Sequence, residues 1–156
     1  MQKQDKLDTS YASNKPDPKV SVIIISKNEE HHIEDCLKSI FKQTYRNIEI
    51  IVVDSSTDRT PEIIKRLSKE SPFPMKIVLQ EAKGCGFARN TGLMMASGDV
   101  VTFIDADELI PPDYMEKVVN EFEDPKCLGV RTRVTLAKPS NQIGKVFWLY
   151  ERIFHP

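Results

Sequence analysis

Two aspartates separated by one small residue carry the most specific chemical signal in the sequence. Asp105 and Asp107 flank Ala106 and directly follow the apolar run Val100–Ile104. Carboxylates at this spacing can present oxygens to one divalent ion, and Mg2+ and Mn2+ prefer oxygen ligands that they share with a substrate phosphate. The structural alternative is that both acids only cap the turn before Pro111. The strand predicted before them favours the metal site.

Polar segments also follow three other predicted strands. Ser26, Asn28 and Glu29 follow the first, Asp54–Asp58 follows the second, and the segment Lys83–Gly98, which holds four of the six glycines, follows the third. Ligands of open α/β sheets bind at the carboxyl ends of the strands. Four polar segments at four strand ends therefore predict one binding site at this edge of the sheet.

The second and third of these segments contain groups suited to a nucleotide. Asp54 could accept a hydrogen bond from a nucleobase N–H or a ribose hydroxyl, whereas Asp58 fits a turn or helix-cap acid. The third segment combines backbone N–H groups, two cations and a helix N-terminus, which together favour phosphate. Its candidate residues are Lys83, Gly84, Gly86, Arg89 and Asn90. The structural alternatives are a surface salt bridge for the arginine and ordinary turn geometry for the glycines. The segment matches neither the G-x-G-x-x-G nor the Walker pattern.

The elements that must position these groups alternate between strands and helices. Apolar, mostly β-branched runs predict strands at Val20–Ile25, Ile48–Val53, Met75–Leu79 and Val100–Ile104, and alternation predicts a half-exposed strand at Val130–Leu136. Helices are predicted to begin at Asn28, Thr60 and Pro111, and a further helix to end at Gly98. This order predicts an α/β fold with a mostly parallel sheet and helices on both faces.

Length and charge narrow the function classes. The chain has 156 residues, and 22 Lys plus Arg against 23 Asp plus Glu give a formal charge of −1. This fits one globular domain without the basic footprint of a nucleic-acid-binding protein. No apolar run approaches the roughly 20 residues of a transmembrane helix, and the polar start lacks a secretory signal. We expect a flexible leader at residues 1–19, three reduced and buried cysteines (Cys36, Cys85 and Cys127), and a cytoplasmic location.

Four blocks of the sequence resemble the family 2 glycosyltransferases of GT-A fold in order and spacing. They are Val20–Glu29, Ile51–Asp58, Gly84–Gly92 and Gly98–Asp107. The combination is specific, although each block alone is weak. The resemblance implies a Rossmann-like domain, a UDP- or GDP-sugar donor, Mg2+ or Mn2+, and inversion at the anomeric carbon. The implied reaction is hexosyl transfer to an acceptor hydroxyl or a lipid phosphate such as a polyprenyl phosphate.

The same resemblance assigns site residues. Asp107 would bind the metal that holds the diphosphate, and Asp105 would be a second ligand near the ribose and sugar. The donor-binding residues would be Ser26, Asn28, Glu29, Asp54, Lys83, Gly86, Arg89, Asn90, Asp105 and Ala106. Two positions depart from the family pattern, since Ile25 stands where many members have proline and Lys27 where many have an aromatic residue.

The resemblance also implies a general base that the sequence does not identify. In this family the acid that deprotonates the acceptor lies well downstream of the acidic triplet. Only 49 residues follow Asp107, and none of the acids among them is a candidate. We therefore expect residues 20–156 to be the donor-binding part of an enzyme, inactive alone, whose acceptor part is missing.

Two other functions stay open. The chain could instead be a non-catalytic donor-binding or interaction module of a larger protein. A phosphatase of the haloacid dehalogenase type also has Asp-x-Asp after a strand, but Leu109 stands where that family has Thr or Val.

The aromatic segment Val146–Phe154 could lie on the cytoplasmic face of a membrane as an amphipathic helix, or pack in a core. Packing is favoured, because aromatic stripes at helical spacing are usually core.

Overall fold

Four strands and four helices alternate through the described part of the chain. The computed structural model describes residues 17–81 and 83–131. The strands are β1 (Val20–Ser26), β2 (Ile48–Asp54), β3 (Met75–Leu79) and β4 (Val100–Asp105). The helices are α1 (Ile33–Phe41), α2 (Thr60–Leu67), α3 (Cys85–Met95) and α4 (Tyr114–Glu121). All four predicted strands are confirmed, and three of them extend one residue further than predicted.

The strands form one parallel sheet in the order β3-β2-β1-β4. In the register of this sheet Ser26 lies opposite Asp54, and Ile25 lies opposite Asp105. The carboxyl ends of β1, β2 and β4, which carry the acidic and hydroxyl groups, therefore lie side by side. The sheet order brings these ends together although they are separated by 28 to 80 residues of sequence, since the helical connections between parallel strands return the chain to the same edge.

Helix α3 covers one face of the sheet at very close range. Ala88 and Gly92, four residues apart and thus on one side of the helix, are both buried. They lie over a cluster that contains Ile23, Ile51 and Val53. A Cβ added to Gly92 would stand 2.4 Å from Cγ2 of Ile23. Only glycine permits this approach, which fixes α3, and the polar groups at its N-terminus, against the centre of the sheet.

The opposite face of the sheet is covered by the other helices. Alternate strand residues point to opposite faces, so Val22 and Ile24 point away from α3, and both are fully buried. Helices α1 and α2 pack against each other and contribute the fully buried side chains Ile33, Leu37, Ile40, Ile64 and Leu67. The expected α/β architecture with helices on both faces is therefore confirmed.

A buried carboxylate holds the amino ends of the strands together. Glu49 is 2% exposed and accepts hydrogen bonds from Ser21 Oγ at 2.7 Å and from the backbone N–H of Ser97 at 2.7 Å. The ammonium groups of Lys19 and Lys76 lie 3.0 and 3.1 Å from it. Burial alone would raise the pKa of Glu49, but the hydrogen bonds from Ser21, Ser97 and Lys19 outweigh it and hold the pKa far below its usual value.

The turn between α3 and β4 packs beside Glu49 and against the backbone of β1. A Cβ at Gly98 would lie 2.6 Å from the carbonyl oxygen of Lys19 and 2.8 Å from the nitrogen of Ser21. The sequence predicted that this helix would end at Gly98, but α3 ends three residues earlier, at Met95. The glycine is needed because the backbone of β1 leaves no room for a side chain.

Several other boundaries differ from the sequence predictions. Asn28 does not begin a helix, because its backbone is left-handed (φ 59°), and α1 starts at Ile33. Helix α4 begins at Tyr114 rather than at Pro111. Lys19, the last residue of the predicted leader, donates its N–H to Asp99 Oδ2 at 2.9 Å. Leader residues 1–16 and the aromatic segment 146–154 lie outside the described residues.

All three cysteines are free, as expected, but they differ in burial. Cys36 is buried, whereas Cys85 is exposed and Cys127 is half-buried, so burial was correctly predicted only for the first. No helix among the described residues is long and apolar enough to cross a membrane.

The chain divides into two compact units at Asn120, and the second unit begins at Glu121. Its described residues, 121–131, contain turns and no strand. Asp124 organises one of these turns by accepting hydrogen bonds from Lys126 N and Cys127 N, both at 2.9 Å. Val130 is therefore not in a strand, and residues 132–136 of the strand predicted there lie outside the described part.

Candidate functional site

A tight turn, here called the acidic turn (Asp105–Glu108), follows the end of β4. The N–H of Glu108 donates to the carbonyl oxygen of Asp105 at 3.0 Å, and the Glu108 carboxylate accepts from the N–H of Asp105 at 3.1 Å. Ala106 is 3% exposed and anchors the turn. Glu108 was not a candidate in the sequence, yet it closes the turn and leaves the two aspartates available for other contacts.

The two aspartates of this turn have different surroundings. Arg89 of α3 donates from Nη2 to Asp105 Oδ1 at 3.0 Å, and the two side chains are 40% and 51% exposed. Asp107 is exposed, and no hydrogen bond or ion pair reaches its carboxylate within residues 17–81 and 83–131. The structure thus offers one carboxylate held by a cation and one with no protein partner in the described chain.

The residues present fit a divalent ion that is shared with a phosphate. No group of three or more His, Cys, Asp or Glu side chains that could hold a metal occurs in the described part of the chain. Mg2+ is typically held by one or two carboxylates together with substrate phosphates and water, and a full protein cage is unusual. The unpartnered carboxylate of Asp107 meets this requirement, and the second oxygen of Asp105 can supplement it.

A buried cluster lies at the ends of β1 and β2. Asp54 is 1% exposed, and its Oδ1 accepts hydrogen bonds from Ser26 Oγ at 2.5 Å and from Ser56 Oγ at 2.6 Å. The N–H of Ser56 reaches Oδ2 at 3.4 Å. Within these contacts Oδ2 is the less engaged oxygen of Asp54, so a ligand group would have to approach it there.

The loops after β1 and β2 are joined by reciprocal hydrogen bonds. The N–H of Asn28 donates to Ser56 Oγ at 2.7 Å, and Asn28 Oδ1 accepts from the N–H of Thr57 at 2.9 Å. The N–H of Glu29 donates to Thr60 Oγ1 at 2.9 Å. These contacts explain why Asn28 takes a left-handed backbone, a conformation that Asn tolerates better than most residues. We call these three hydrogen bonds between the two loops the loop junction.

Acids at the rim of the loop junction also bind backbone or neighbouring groups. Asp58 accepts from the N–H of Thr60 at 3.0 Å just before α2, which fits the turn role predicted for it. It is not the helix cap, because the N-cap residue of α2 is Arg59. Burial alone would raise the pKa of Asp58, but the hydrogen bonds from Thr60 and from the N–H of Glu30 lower it. The Glu29 carboxylate lies 2.9 Å from Nδ1 of His32.

The start of α3 is exposed beside the acidic turn. Gly84 precedes the helix with φ 93°, a left-handed conformation that favours glycine. The Lys83 ammonium lies 5.3 Å from the centre of the Phe87 ring. Gly86 and Asn90 are exposed, and nothing lies within 4 Å of the position that a Cβ of Gly86 would take. This region therefore has open space for a ligand.

A buried thiol lies behind the acidic turn. Cys36 Sγ is 3.6 Å from the carbonyl oxygen of Asp105. Burial, together with the charges of Glu108, Asp107 and Asp105, raises the pKa of this thiol to about 12. Cys36 is therefore a protonated donor at neutral pH and contributes no thiolate to the site.

The sequence-predicted residues thus fall into two groups. Ser26, Asn28, Glu29 and Asp54 meet at the loop junction and its cluster, whereas Arg89 and Asp105 meet at the acidic turn. Ser56 and Thr60 were missed as parts of the site. Their signal was the density of hydroxyl residues after β2, since Ser55, Ser56 and Thr57 lie between two acids and Thr60 follows.

The family of the chain follows from comparison with known proteins. A family model described as glycosyl transferase family 2 matches residues 21–154. The chain belongs to glycosyl transferase family 2. Among curated relatives of this family, glycosyltransferase GlyA of Streptococcus pneumoniae serotype 4 is 48% identical over 117 residues, which are 72% of this chain and 17% of GlyA. The resemblance seen in the four sequence blocks is thereby confirmed.

Solved glycosyltransferases share the fold. Mannosyltransferase PcManGT from Pyrobaculum calidifontis, solved in complex with GDP-Man and Mn2+, superposes with a TM-score of 0.67 at 38% identity, over 69% of this chain and 33% of that one. Residues 1–349 of TarS from S. aureus, in complex with UDP-GlcNAc, give a TM-score of 0.63 at 28% identity, over 76% of this chain and 37% of that one. The Rossmann-like fold of this chain is therefore GT-A. The chain spans well under half of the length of GlyA, PcManGT and TarS residues 1–349.

Proposed function

We propose that the chain is the donor-binding part of a metal-dependent, inverting hexosyltransferase. The donor is a UDP- or GDP-sugar, and the acceptor is a hydroxyl or a lipid phosphate. Membership of glycosyl transferase family 2 and the donors bound to two structural neighbours, GDP-Man and UDP-GlcNAc, support the donor class. A further relative, 31% identical over 81% of this chain, is a poly-beta-1,6-N-acetyl-D-glucosamine synthase of Staphylococcus aureus. We place the reaction in the cytoplasm, at the membrane face when the acceptor is a lipid.

The observation that carries this proposal is the unequal pairing of the two aspartates. Asp105 is held by Arg89, while the exposed Asp107 carboxylate has no partner among the described residues. The side chain that closes the turn is that of Glu108. This argues against the alternative that Asp105 and Asp107 serve only to cap the turn. A carboxylate left exposed at the carboxyl edge of a parallel sheet is placed to bind a cation that is shared with a ligand.

The remaining residues are proposed to bind the donor in two zones. The loop junction and its cluster supply the nucleoside zone through Ser26, Asn28, Glu29 and the Oδ2 atom of Asp54. The phosphate and sugar zone comprises Lys83, Gly86, Arg89, Asn90, Asp105 and Ala106. Support comes from the shared edge of the sheet and from the open, cationic start of α3.

The chemistry that these residues supply is charge control at the leaving group. Asp107, with Asp105 as a second ligand, would hold Mg2+ or Mn2+, which when bound neutralises the diphosphate as it departs. Arg89 adds positive charge at the same place and fixes the orientation of Asp105 by its hydrogen bond. The base that takes the acceptor proton is not among the residues assigned here.

Calorimetry on the protein with UDP- and GDP-sugars, with and without Mn2+, tests the proposal. We expect Mn2+ to strengthen donor binding at least about tenfold, and Asp107→Asn to remove this gain while leaving metal-free binding unchanged. Asp35→Asn, which removes an exposed acid on α1, is the matched control and should behave like the wild type. Equal donor binding with and without metal, in wild type and Asp107→Asn alike, would contradict the metal-dependent site.

A further inference from the structure

The backbone that leaves the acidic turn is held by a stripe of polar side chains on and just after α1. We call this stripe the polar edge; it consists of Cys36, Ser39, Gln43 and Thr44. Cys36 and Ser39 lie three residues apart on one side of α1, and Gln43 and Thr44 follow the end of that helix. Ser39 Oγ accepts from the N–H of Ile110 at 3.3 Å. Thr44 Oγ1 reaches the Pro112 carbonyl oxygen at 3.2 Å.

Gln43 makes the most demanding of these contacts. Its side-chain Nε2 donates to the carbonyl oxygen of Pro111 at 2.7 Å, and its Oε1 accepts from the N–H of Met115 at 3.0 Å. The latter N–H belongs to the first turn of α4 and has no partner within that helix. One buried amide thus bonds backbone groups at both ends of the segment from Pro111 to Met115. The Pro111 carbonyl oxygen also accepts from the N–H of Tyr114 at 3.0 Å.

The burial of Gln43 makes this contact costly to lose. The residue is 1% exposed. Met115 is also fully buried, so its N–H would find no water to replace the lost hydrogen bond, and the start of α4 would have to move to recover a partner. A side chain with only a donor or only an acceptor could satisfy one end of the segment but not the other.

We propose that Gln43 is a positioning residue for the acidic turn. The turn is fixed upstream by β4 and by Cys36 at the Asp105 carbonyl. Downstream of Asp107, the turn is closed by Glu108, and the N–H of Ile110 is held by Ser39 Oγ. The Gln43 amide then holds Pro111 and Met115, which lead into α4. Gln43 therefore limits where the exposed Asp107 carboxylate can stand. The consequence for metal binding rests on the proposed function, whereas the consequence for backbone order does not.

Hydrogen exchange of the protein tests the backbone part. Gln43→Met has similar length but no polar side-chain atoms that can replace the amide, and Gln43→Glu keeps the acceptor for Met115 while losing the donor to Pro111. We expect Gln43→Met to speed exchange at residues 107–115 about tenfold, with β1 and β2 unchanged. Gln43→Glu should have at least as large an effect, because a buried carboxylate oxygen would face the Pro111 carbonyl oxygen. Unchanged exchange at residues 107–115 in Gln43→Met would overturn the proposal.

Donor binding in the presence and absence of Mn2+ tests the functional part. Gln43→Met should weaken the metal-dependent component about tenfold and leave metal-free binding unchanged. The control is Ser21→Ala, which removes a fully buried hydroxyl with two hydrogen bonds at the opposite end of the sheet. It should lower the melting temperature without changing the metal-dependent component. Equal losses in both variants would show a general stability effect and overturn the positioning role. If the wild type binds donor equally with and without metal, the proposed function fails, and the exchange result alone decides the role of Gln43.

Discussion

The left-handed backbone of Asn28 allows a quantitative test of the loop junction. Asn28 has φ 59° and joins the loop after β1 to the loop after β2 through its N–H and its side-chain oxygen. Three substitutions separate the backbone from the side-chain contribution. Asp keeps an acceptor and tolerates the conformation, Gly keeps only the conformation, and Ala keeps neither.

The expected magnitudes follow from these contacts. A left-handed alanine costs roughly 1.5 kcal/mol, and the exposed hydrogen bond to Thr57 contributes about 0.5 kcal/mol. Asn28→Ala should therefore lower the free energy of unfolding by about 2 kcal/mol. Asn28→Gly loses the hydrogen bond and gains about 0.5 kcal/mol of unfolded-state entropy, so it should cost about 1 kcal/mol. Asn28→Asp should stay within about 0.5 kcal/mol of the wild type.

Urea denaturation with linear extrapolation measures these differences, and donor affinity measured on the same variants should fall in the same order. If Asn28→Ala were no less stable than Asn28→Gly, the argument from the positive φ would be wrong. If all three variants matched the wild type, the loop junction would contribute nothing to stability.

Two further predictions concern the amino ends of the strands. Gly98→Ala should lower the free energy of unfolding by about 3 kcal/mol in urea denaturation, because the new methyl group would meet the Lys19 carbonyl at 2.6 Å and backbone cannot yield as a flexible side chain does. Glu49→Gln should cost about 2 kcal/mol at pH 7. The Glu49 pKa is lowered in the folded state, so its contribution is complete above the usual pKa of 4.5 and is lost as the pH falls below it. Stability curves of wild type and Glu49→Gln should therefore converge in acid, and parallel curves would contradict the account.

The sheet could be predicted from the sequence because each strand is rich in apolar residues. Buried parallel strands require apolar runs, and the runs at β1 and β2 are long and β-branched. Helix starts were less predictable. Asn28 has the residue type of a helix cap, but its side chain serves a partner 29 residues away, and no local pattern reveals that choice.

The candidate site was predictable in outline and not in its pairings. The polar segments after the strands located the edge of the sheet, and the spacing of Asp105 and Asp107 marked the acidic turn. The Arg89 partner of Asp105 depends on how α3 crosses the sheet, which the small side of the helix at Gly92 determines. Gln43 reaches partners 68 and 72 residues away, so its role could be found only in the folded chain.

The central claim is that Asp107 holds a divalent ion together with the donor diphosphate. The most direct measurement is a crystal structure of the protein with a UDP- or GDP-sugar and Mn2+, with the ion located by its anomalous scattering. We expect an anomalous peak between the Asp107 carboxylate and the diphosphate, with Arg89 still paired to Asp105. A donor bound at this edge of the sheet with no ion at Asp107, or an ion held by other residues, would contradict the claim.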